Sequence, residues 1–578
     1  MKLDLSNVPF TYRDSYMVVS YINQSFRIMG KKADKEGMYL RSVRGGSRNH
    51  PLVAKIIPLV GGKEVPYEYE ASEGLISMKM AADAKIEITF ADENTILVRG
   101  SGNDTGLKLT EWNEGGNADY IMPIPMFGQT YYKANIFKND TSFYIAAQEG
   151  TISIEQNWDG IGSSSCLLQV SGEQGFQIAI EEARKEWHKR QLIFDFDESS
   201  RAMFKAVADY VGKMPEVPDY LKKSRELAAY INWESRVAKD DGLTRNALYP
   251  SKNWMIGAFS WDQCFIAQAL SYHLPLEAWD QFMIMFDYQD DTGRIPDAVT
   301  DSYTVWNFCK PPVHGWTLVR MMEQMTLTRE QMTEAYMRLG AWTSWWYNYR
   351  DPDHDGICEY HHGNDSGWDN STVFKDSSMV ESPDLSAELV LQTEALGILA
   401  GKLGKYEEQK YWEERSKKQL DDMLEHCFDG DRPFATDCIT NKPIESRSLL
   451  PYTSIILGKR LPKEKRDYII KALKEQFLTE HGFATEMVDS PLYQSDGYWR
   501  GPIWAPTMTM LLDGLWQCGE EELVKTVAER YVAMVDKTGF PENYDSLTGD
   551  GNRDRAFAWT ASSFLVIAHR YLYESGSF

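Results

Sequence analysis

Leu523-Val524-Lys525-Thr526-Val527-Ala528-Glu529-Arg530-Tyr531-Val532-Ala533-Met534-Val535 decides how most of this chain folds. Leu523, Val527, Tyr531, Met534 and Val535 recur at the spacing that lays five apolar side chains on one face of an α-helix. Comparable stretches occur at 262–274, 331–349, 385–404, 406–426, 463–477, 504–517 and 558–573, with Gly-, Pro- and Asp-rich joints between them. From about residue 198 onward helix follows helix with few strand signals. About twelve helices with their loops would fill that length, and no short repeat marks a solenoid. A closed α/α toroid whose site is built on loops is the expected architecture.

Upstream the period changes to two. Tyr16–Ile22, Lys85–Phe90, Thr95–Arg99, Ser142–Ala146 and Leu167–Val170 alternate or run apolar over strand lengths, separated by clusters such as Gly100-Ser101-Gly102-Asn103-Asp104. Many short strands with turn signals indicate an antiparallel β-sandwich. The expected division is therefore a β-sandwich domain with its linker over 1–195 and a helical domain over 196–578. No catalytic or charged constellation stands out in the first, so a structural or substrate-framing role is expected there.

At 578 residues the chain is too long for one ordinary core. A net charge of −24 without a sustained basic stripe argues against a nucleic-acid partner, and Lys459–Arg466 reads as a solvated loop and helix start. Seven cysteines without a CxxC pair read as reduced thiols. Met1–Asn7 lacks the basic and apolar regions of a signal peptide, and no stretch reaches membrane-spanning length, so a cytoplasmic protein with no membrane partner is expected. Aromatic residues make up 13% of the chain, with 18 Trp and 31 Tyr, enough to serve both helix packing and stacking on sugar rings. The oligomeric state is not encoded in any of these signals.

Two segments bring carboxylates together with aromatics and turn residues. Asp369 follows Ser366-Gly367-Trp368, and burial beside an indole would raise its carboxyl toward the range of a general acid. The competing reading is an Asp that caps a helix or closes an Asx-turn. Glu542 lies in Gly539-Phe540-Pro541-Glu542-Asn543-Tyr544, held at a helix end by Pro541, as a base gripping a water requires, although a lone loop Glu is more often simply solvated. Tyr498-Trp499-Arg500-Gly501-Pro502-Ile503-Trp504 offers stacking faces and a fixed donor, and core packing would not explain Arg500. Trp261-Asp262, Lys310 with His314, Tyr544 and Trp559 supply similar material at other helix starts and loops. A carboxylate pair framed by aromatics suits hydrolysis of a glycosidic bond, and a small carbohydrate is the expected ligand.

Ser366-Gly367-Trp368-Asp369-Asn370, the segment Tyr498–Trp504, Glu542-Asn543-Tyr544-Asp545 with Thr548-Gly549, and Trp261-Asp262-Gln263-Cys264-Phe265 together resemble glycoside hydrolase family 63 and its trehalase relatives. These motifs span about residues 250 to 560 in the family's order. The resemblance implies an (α/α)6 barrel preceded by a β domain, and anomer-inverting hydrolysis of α-glycosides, mostly α-glucosides. By position it implies Asp369 as general acid and Glu542 as general base. It puts Trp261, Asp262, Trp368, Tyr498, Trp499, Arg500 and Trp504 along the sugar subsite. An inverting pair stands roughly 6.5–9.5 Å apart to admit water. Asp365 departs from the family's usual Glu.

Alternatives on the same fold are a trehalase or a hydrolase of a glucosyl- or mannosylglycerate-type conjugate. A non-catalytic sugar-binding barrel is the reading of a different class. An epimerase or lyase would need a His or Tyr acid/base pair, for which His314 is the one tempting histidine. No cofactor is expected to be required. Asp351, Asp353, Asp355 and Glu359 occupy positions 1, 3, 5 and 9 of an EF-hand-like loop with Gly356 at 6, but His362 replaces the bidentate Glu at 12. A structural calcium ion and an Asp-rich interhelical turn are the two readings of that loop.

Overall fold

The computed structural model describes residues 1–578 except 24–26, 29–30, 33–34, 49–51, 82, 112–117 and 575–578. The chain divides into two compact units, one made of Met1–Gly212, Ala229–Gly257 and Thr300–Tyr303, the other of Lys213–Ala228, Ala258–Val299 and Thr304–Phe578.

The first unit is built on two antiparallel sheets. One runs Met17–Ile22, Gly37–Ser42, Leu52–Val60, Thr105–Thr110, Ser163–Ser171, Thr151–Trp158 from edge to edge. The other runs Tyr120–Met126, Gln129–Ile136, Thr141–Glu149, Gly175–Ala183, Thr95–Ser101, Lys85–Asp92, Leu75–Lys79, Glu68–Ser72. Ile86, Ile88, Phe90, Val98, Ile178 and Ile180 are buried on one face of its central strands at period two, and Leu97 and Ala179 are buried on the other.

The sequence change at 195/196 is a change of secondary structure before it is a change of unit. The helix Phe196–Val211, capped by the Asp195 side chain on Glu198 N–H, belongs to the β unit. Ser200 Oγ donates to Gly74 O, and the Phe204 ring lies so close to Gly74 that a Cβ there would meet it at 2.7 Å.

This unit also holds a charged constellation that the sequence reading does not find. Arg44 pairs with Glu182 at 3.2 Å and with Asp240 at 2.5 Å, and Arg184 pairs with Asp301 at 3.3 Å. Gly45 N–H donates to both Asp301 oxygens. The partners lie on distant stretches of chain, which is why no local motif announces them.

The second unit carries the site. Its inner helices are Ser260–Leu270, His314–Gln324, Pro383–Leu403, the tighter turn series Leu450–Arg460, Ala505–Cys518 and Ala558–Ala568. Each packs on the next in that order, and Ala558–Ala568 packs back on Ser260–Leu270, so the ring closes. Every residue of Ser260–Leu270 and of Ala558–Ala568 is buried, the mark of a helix surrounded on all sides. Outer helices Pro275–Met283, Arg329–Tyr349, Tyr406–His426, Lys463–Ala472 and Glu521–Thr538 each return the chain after an inner one. The inner helices therefore run in the same direction, and the loops entering them gather at one end of an (α/α)6 barrel. Among the described residues no helix is long and apolar enough to cross a membrane.

Candidate active site

The loop bearing Asp369 is fixed before its chemistry begins. His362 Nδ1 accepts from Asn364 N–H to start one short helical turn, Gly363–Ser366, which Gly367 ends at φ 74°. That conformation favours glycine, and a Cβ on Gly367 would stand 2.6 Å from the Trp261 ring. Asp365, buried beneath, accepts from Cys309 N–H at 3.0 Å, His361 N–H at 3.1 Å and Arg350 Nη1 at 2.9 Å. Burial pushes its carboxyl up, but Arg350 and these donors more than offset it and hold it below the usual range. The shorter Asp thus has a full set of partners where family 63 usually carries Glu.

Asn370 ties this loop to the next. Its Nδ2 donates to Gly497 O, its Oδ1 accepts from Trp499 N–H, and its carbonyl accepts from Arg500 Nε at 2.6 Å. Arg500 therefore holds the backbone beside Asp369.

Asp369 keeps 32% of its side chain accessible, yet burial raises its carboxyl, opposed by the Lys310 charge 3.9 Å away. Lys310 is buried, donates to Asn364 O at 2.9 Å, and stands 3.4 Å from Asp297 Oδ1. Asp262, in the first turn of Ser260–Leu270, is 3% exposed, and burial pushes it well up despite Lys310. Desolvation works against the Lys310 charge, but Asp297 first, then Asp369 and Asp262, leave it more firmly protonated than an ordinary lysine. Asp297 escapes the sequence reading. It sits between two backbone bonds, Ser260 N–H to its carbonyl and its own N–H to Val305 O, in a stretch with no motif.

Glu542 enters from the opposite side of the ring closure. Its N–H donates to Asp554 O, and Tyr544 exchanges two backbone bonds with Ile503, pinning the loop to the segment Tyr498–Trp504. Glu542 is 1% exposed, and its Oε2 has no hydrogen-bond partner. Burial pushes it up to about 8; the Arg553 charge and a hydrogen bond from Tyr498 pull down, while Asp554 and Asp369 add to the rise. Glu542 thus feels the Asp369 charge, and the two share one site. Tyr498 and Arg553 stand in the left-handed region at φ 64° and 63°, and the Arg553 guanidinium lies 4.8 Å from the Tyr498 ring centroid. Two strained non-glycine residues in contact beside one carboxylate are held there by the surrounding structure. Arg553 is a second residue the sequence reading misses.

The aromatic wall is continuous. Trp499 stacks on Trp504 with centroids 4.1 Å apart and planes 4° from parallel, and Trp368 lies 4.7 Å from Trp499. Trp261 reaches Trp499 at 5.9 Å and Trp559 at 5.4 Å. Two sequence candidates are placed in the core instead. His314 stands against Phe282 and Phe286 with both ring nitrogens buried and unpartnered, and burial pushes its pKa down to about 3, so it is neutral. Tyr544 donates its hydroxyl to Gly539 O and packs against Tyr531.

The acidic loop forms a separate cluster. Asp351, Asp353 and Asp355 present carboxylate oxygens within 4.8 Å of one another, with His354 at φ 62° and Gly356 at φ 95° making the turn. Asp355 also groups with Glu381 and His426, and Glu359 groups with Glu381 and Cys438. Asp351 is 7% exposed and its Oδ1 has no hydrogen-bond partner. Burial, with Glu381 and Glu359 nearby, raises the Cys438 thiol, so the charged donors here are oxygens.

Comparison with known proteins adds the relatives. A family model described as the mannosylglycerate hydrolase MGH1-like glycoside hydrolase domain matches residues 255–560. The mannosylglycerate hydrolase of Rubrobacter radiotolerans is 23% identical over 448 residues, covering 61% of this chain and 97% of that protein. The mannosylglycerate hydrolase of Thermus thermophilus is 23% identical over 404 residues, covering 55% and 94%. In structure, the family 63 mannosylglycerate hydrolase from another strain of Thermus thermophilus, solved with Tris and D-glycerate, aligns at TM-score 0.53 and 21% identity over 59% of this chain and 99% of that one. A bacterial glucoamylase complexed with acarbose aligns at TM-score 0.61 and 10% identity over 99% and 94%.

Proposed function

This chain belongs to the mannosylglycerate hydrolase MGH1-like glycoside hydrolase family, and from that membership we propose that it cleaves, with inversion, the α-glycosidic bond of a small glycoside whose aglycone is a hydroxy acid such as glycerate. The observation that carries the reaction is the pair Asp369 and Glu542. They come from loops entering two different inner helices, both carboxyls are raised by burial, and the Asp369 charge acts on Glu542. The relatives' names favour a glycerate conjugate over the α-glucosidic oligosaccharide that the family 63 motifs first suggest.

In this reading the working form carries one proton. Burial favours that proton on Glu542 in the free site, but the reacting form is the one that holds it on Asp369, from which it passes to the glycosidic oxygen as the bond to the anomeric carbon breaks. Glu542, ionised, takes a proton from water attacking the opposite face of the sugar. Tyr498 and Arg553 favour the Glu542 anion at that moment. Trp368, backed by Trp499 and Trp504, would stack on the sugar, while Asp262 and Lys310 would grip its hydroxyls and exclude bulk water. Seven unpaired cysteines suit a reducing compartment.

Proton NMR of the sugar first released from α-mannosylglycerate, α-glucosylglycerate, trehalose and α-linked glucose disaccharides tests this reading. The β-anomer is expected to appear first, from a glycerate conjugate. Release from the disaccharides alone would restore the α-glucosidase reading, and an α-anomer appearing first would exclude the inverting pair.

A second reading concerns the acidic loop. We infer that Asp351, Asp353 and Asp355 would hold a calcium ion in a structural role. Three carboxylates of one turn, with a buried, unpartnered Asp351 oxygen among them, suit a hard cation that prefers oxygen.

A further inference from the structure

The reaction proposed above requires the shared proton to sit on Asp369, yet a buried lysine stands beside that carboxyl. A positive charge this close favours the carboxylate and so opposes a general acid. Lys310 Nζ lies 3.9 Å from Asp369 Oδ1 but 3.4 Å from Asp297 Oδ1. Asp297 is 6% exposed, its Oδ1 accepts no hydrogen bond meeting full geometry, and it comes from the stretch before the short strand Ala298–Val299. Backbone bonds to Ser260 and Val305 fix its main chain beside the ammonium.

We propose that Asp297 is a positioning residue for the acid: standing closer to Lys310 than Asp369 does, it offsets the lysine's charge and thereby favours the proton on Asp369. The proposal rests on Asp369 being the acid. One ammonium serves three carboxylates here, Asp297, Asp369 and Asp262, and the strengths with which they act on Lys310 fall in that order. The groups facing Asp369 from the surrounding elements are Lys310, His362, Asp297, Asp262, Tyr498 and Glu542. Lys310 and His362 favour its anion. The Asp369 charge raises Asp297, Asp262 and Glu542, and by the same repulsion a charge on any of these opposes the Asp369 anion. Within that set Asp297 is the carboxylate nearest the lysine, so its removal redirects the most positive charge onto Asp369.

The sign of the effect separates this role from a structural one. In Asp297→Asn the undivided Lys310 charge lowers the proton affinity of Asp369, so the alkaline limb of kcat/KM moves to lower pH, by about one unit or more. In Lys310→Met the limb moves to higher pH. The double variant Asp297→Asn/Lys310→Met returns toward the wild-type limb, and Asp297→Glu keeps it. The profiles are measured on the glycoside that wild type cleaves fastest, with folding checked by thermal melting. If Asp297→Asn does not fold, Asp297→Ser takes its place, and the same downward shift, cancelled when Lys310→Met is added, is required. An alkaline limb in Asp297→Asn that coincides with wild type, with only KM raised, overturns the proposal and makes Asp297 a sugar ligand. Asp369→Asn is run in the same series: undiminished activity there would remove the acid assignment itself, a failure distinct from an unmoved limb in the Asp297 variants.

Discussion

Glu359 stands directly opposite Glu381 in the ladder between Glu359–Tyr360 and Val380–Glu381, and both side chains are buried. Like charges facing each other across a pair of strands destabilise it, more so away from water. His361 bonds Glu359 and His426 bonds Glu381, which offsets part of that repulsion. A divalent cation held at Asp351, Asp353 and Asp355 would stand near Glu381, which groups with Asp355, and offset more of it.

Chelation is therefore expected to lower the melting temperature, and added calcium to restore it. At a calcium concentration a hundredfold above Kd the stabilisation amounts to about 2.7 kcal/mol. Asp353→Asn with Asp355→Asn should abolish the response without moving the activity of the residual folded enzyme. A melting curve unchanged by chelator would leave the loop as an Asp-rich turn.

Asp369→Asn and Glu542→Gln are each expected to lower kcat about 10²–10⁴-fold. The two losses should differ with leaving group. Asp369→Asn recovers most of its rate on an aryl glycoside whose phenolate leaves without protonation, and Glu542→Gln does not. Equal recovery in both would exchange or dissolve the assigned roles.

The raised Glu542 carboxyl has a cost that a melting experiment reads. Its folded-state pKa, about 8, lies above the 4.5 of an ordinary Glu, so between these values the folded state holds more protons than the unfolded one. Stability contributed by this group is present below pH 4.5 and falls as pH rises toward 8. Glu542→Gln should thus melt higher than wild type near pH 8, by on the order of a few kcal/mol, and lose that advantage near pH 4. Tyr498→Phe, which removes a donor to the anion, should move the acid limb of kcat/KM to still higher pH.

Gly367→Ala is expected to be costly at a single methyl. The residue is at φ 74° and the new Cβ would meet Trp261 at 2.6 Å, so the strained turn alone costs about 1–3 kcal/mol. Because Trp368 and Asp369 follow immediately, activity should fall further than stability. A variant with wild-type kcat would mean that the turn does not aim the acid.

Much of this is legible in the sequence because the signal is local. The helix Tyr406–His426 begins and ends where its apolar spacing says, and the motifs around Asp369, Tyr498 and Glu542 mark the loops at one end of the ring. The inner segment Leu450–Arg460 is not legible: Leu449 to Leu457 is apolar without a period, interrupted by Pro451, and buried nearly throughout. Asp297 and Arg553 are hidden for another reason. Neither sits in a recognisable motif, and each acquires a role only when the ring brings Lys310 or Glu542 alongside. Arg500 stands out in the sequence through its resistance to unpaired burial, but its guanidinium is used on the Asn370 carbonyl. Burial alone cannot tell a sugar ligand from a loop anchor.

The tryptophan wall has an optical consequence. Five of the chain's 18 indoles, those of residues 261, 368, 499, 504 and 559, form one chain of ring contacts no longer than 5.9 Å. Chromophores this close exchange excitation, so light absorbed by any of them is emitted from the group as a whole. A sugar settling on Trp368 would change the colour and yield of that shared emission, and the protein carries its own reporter of an occupied site without any added label.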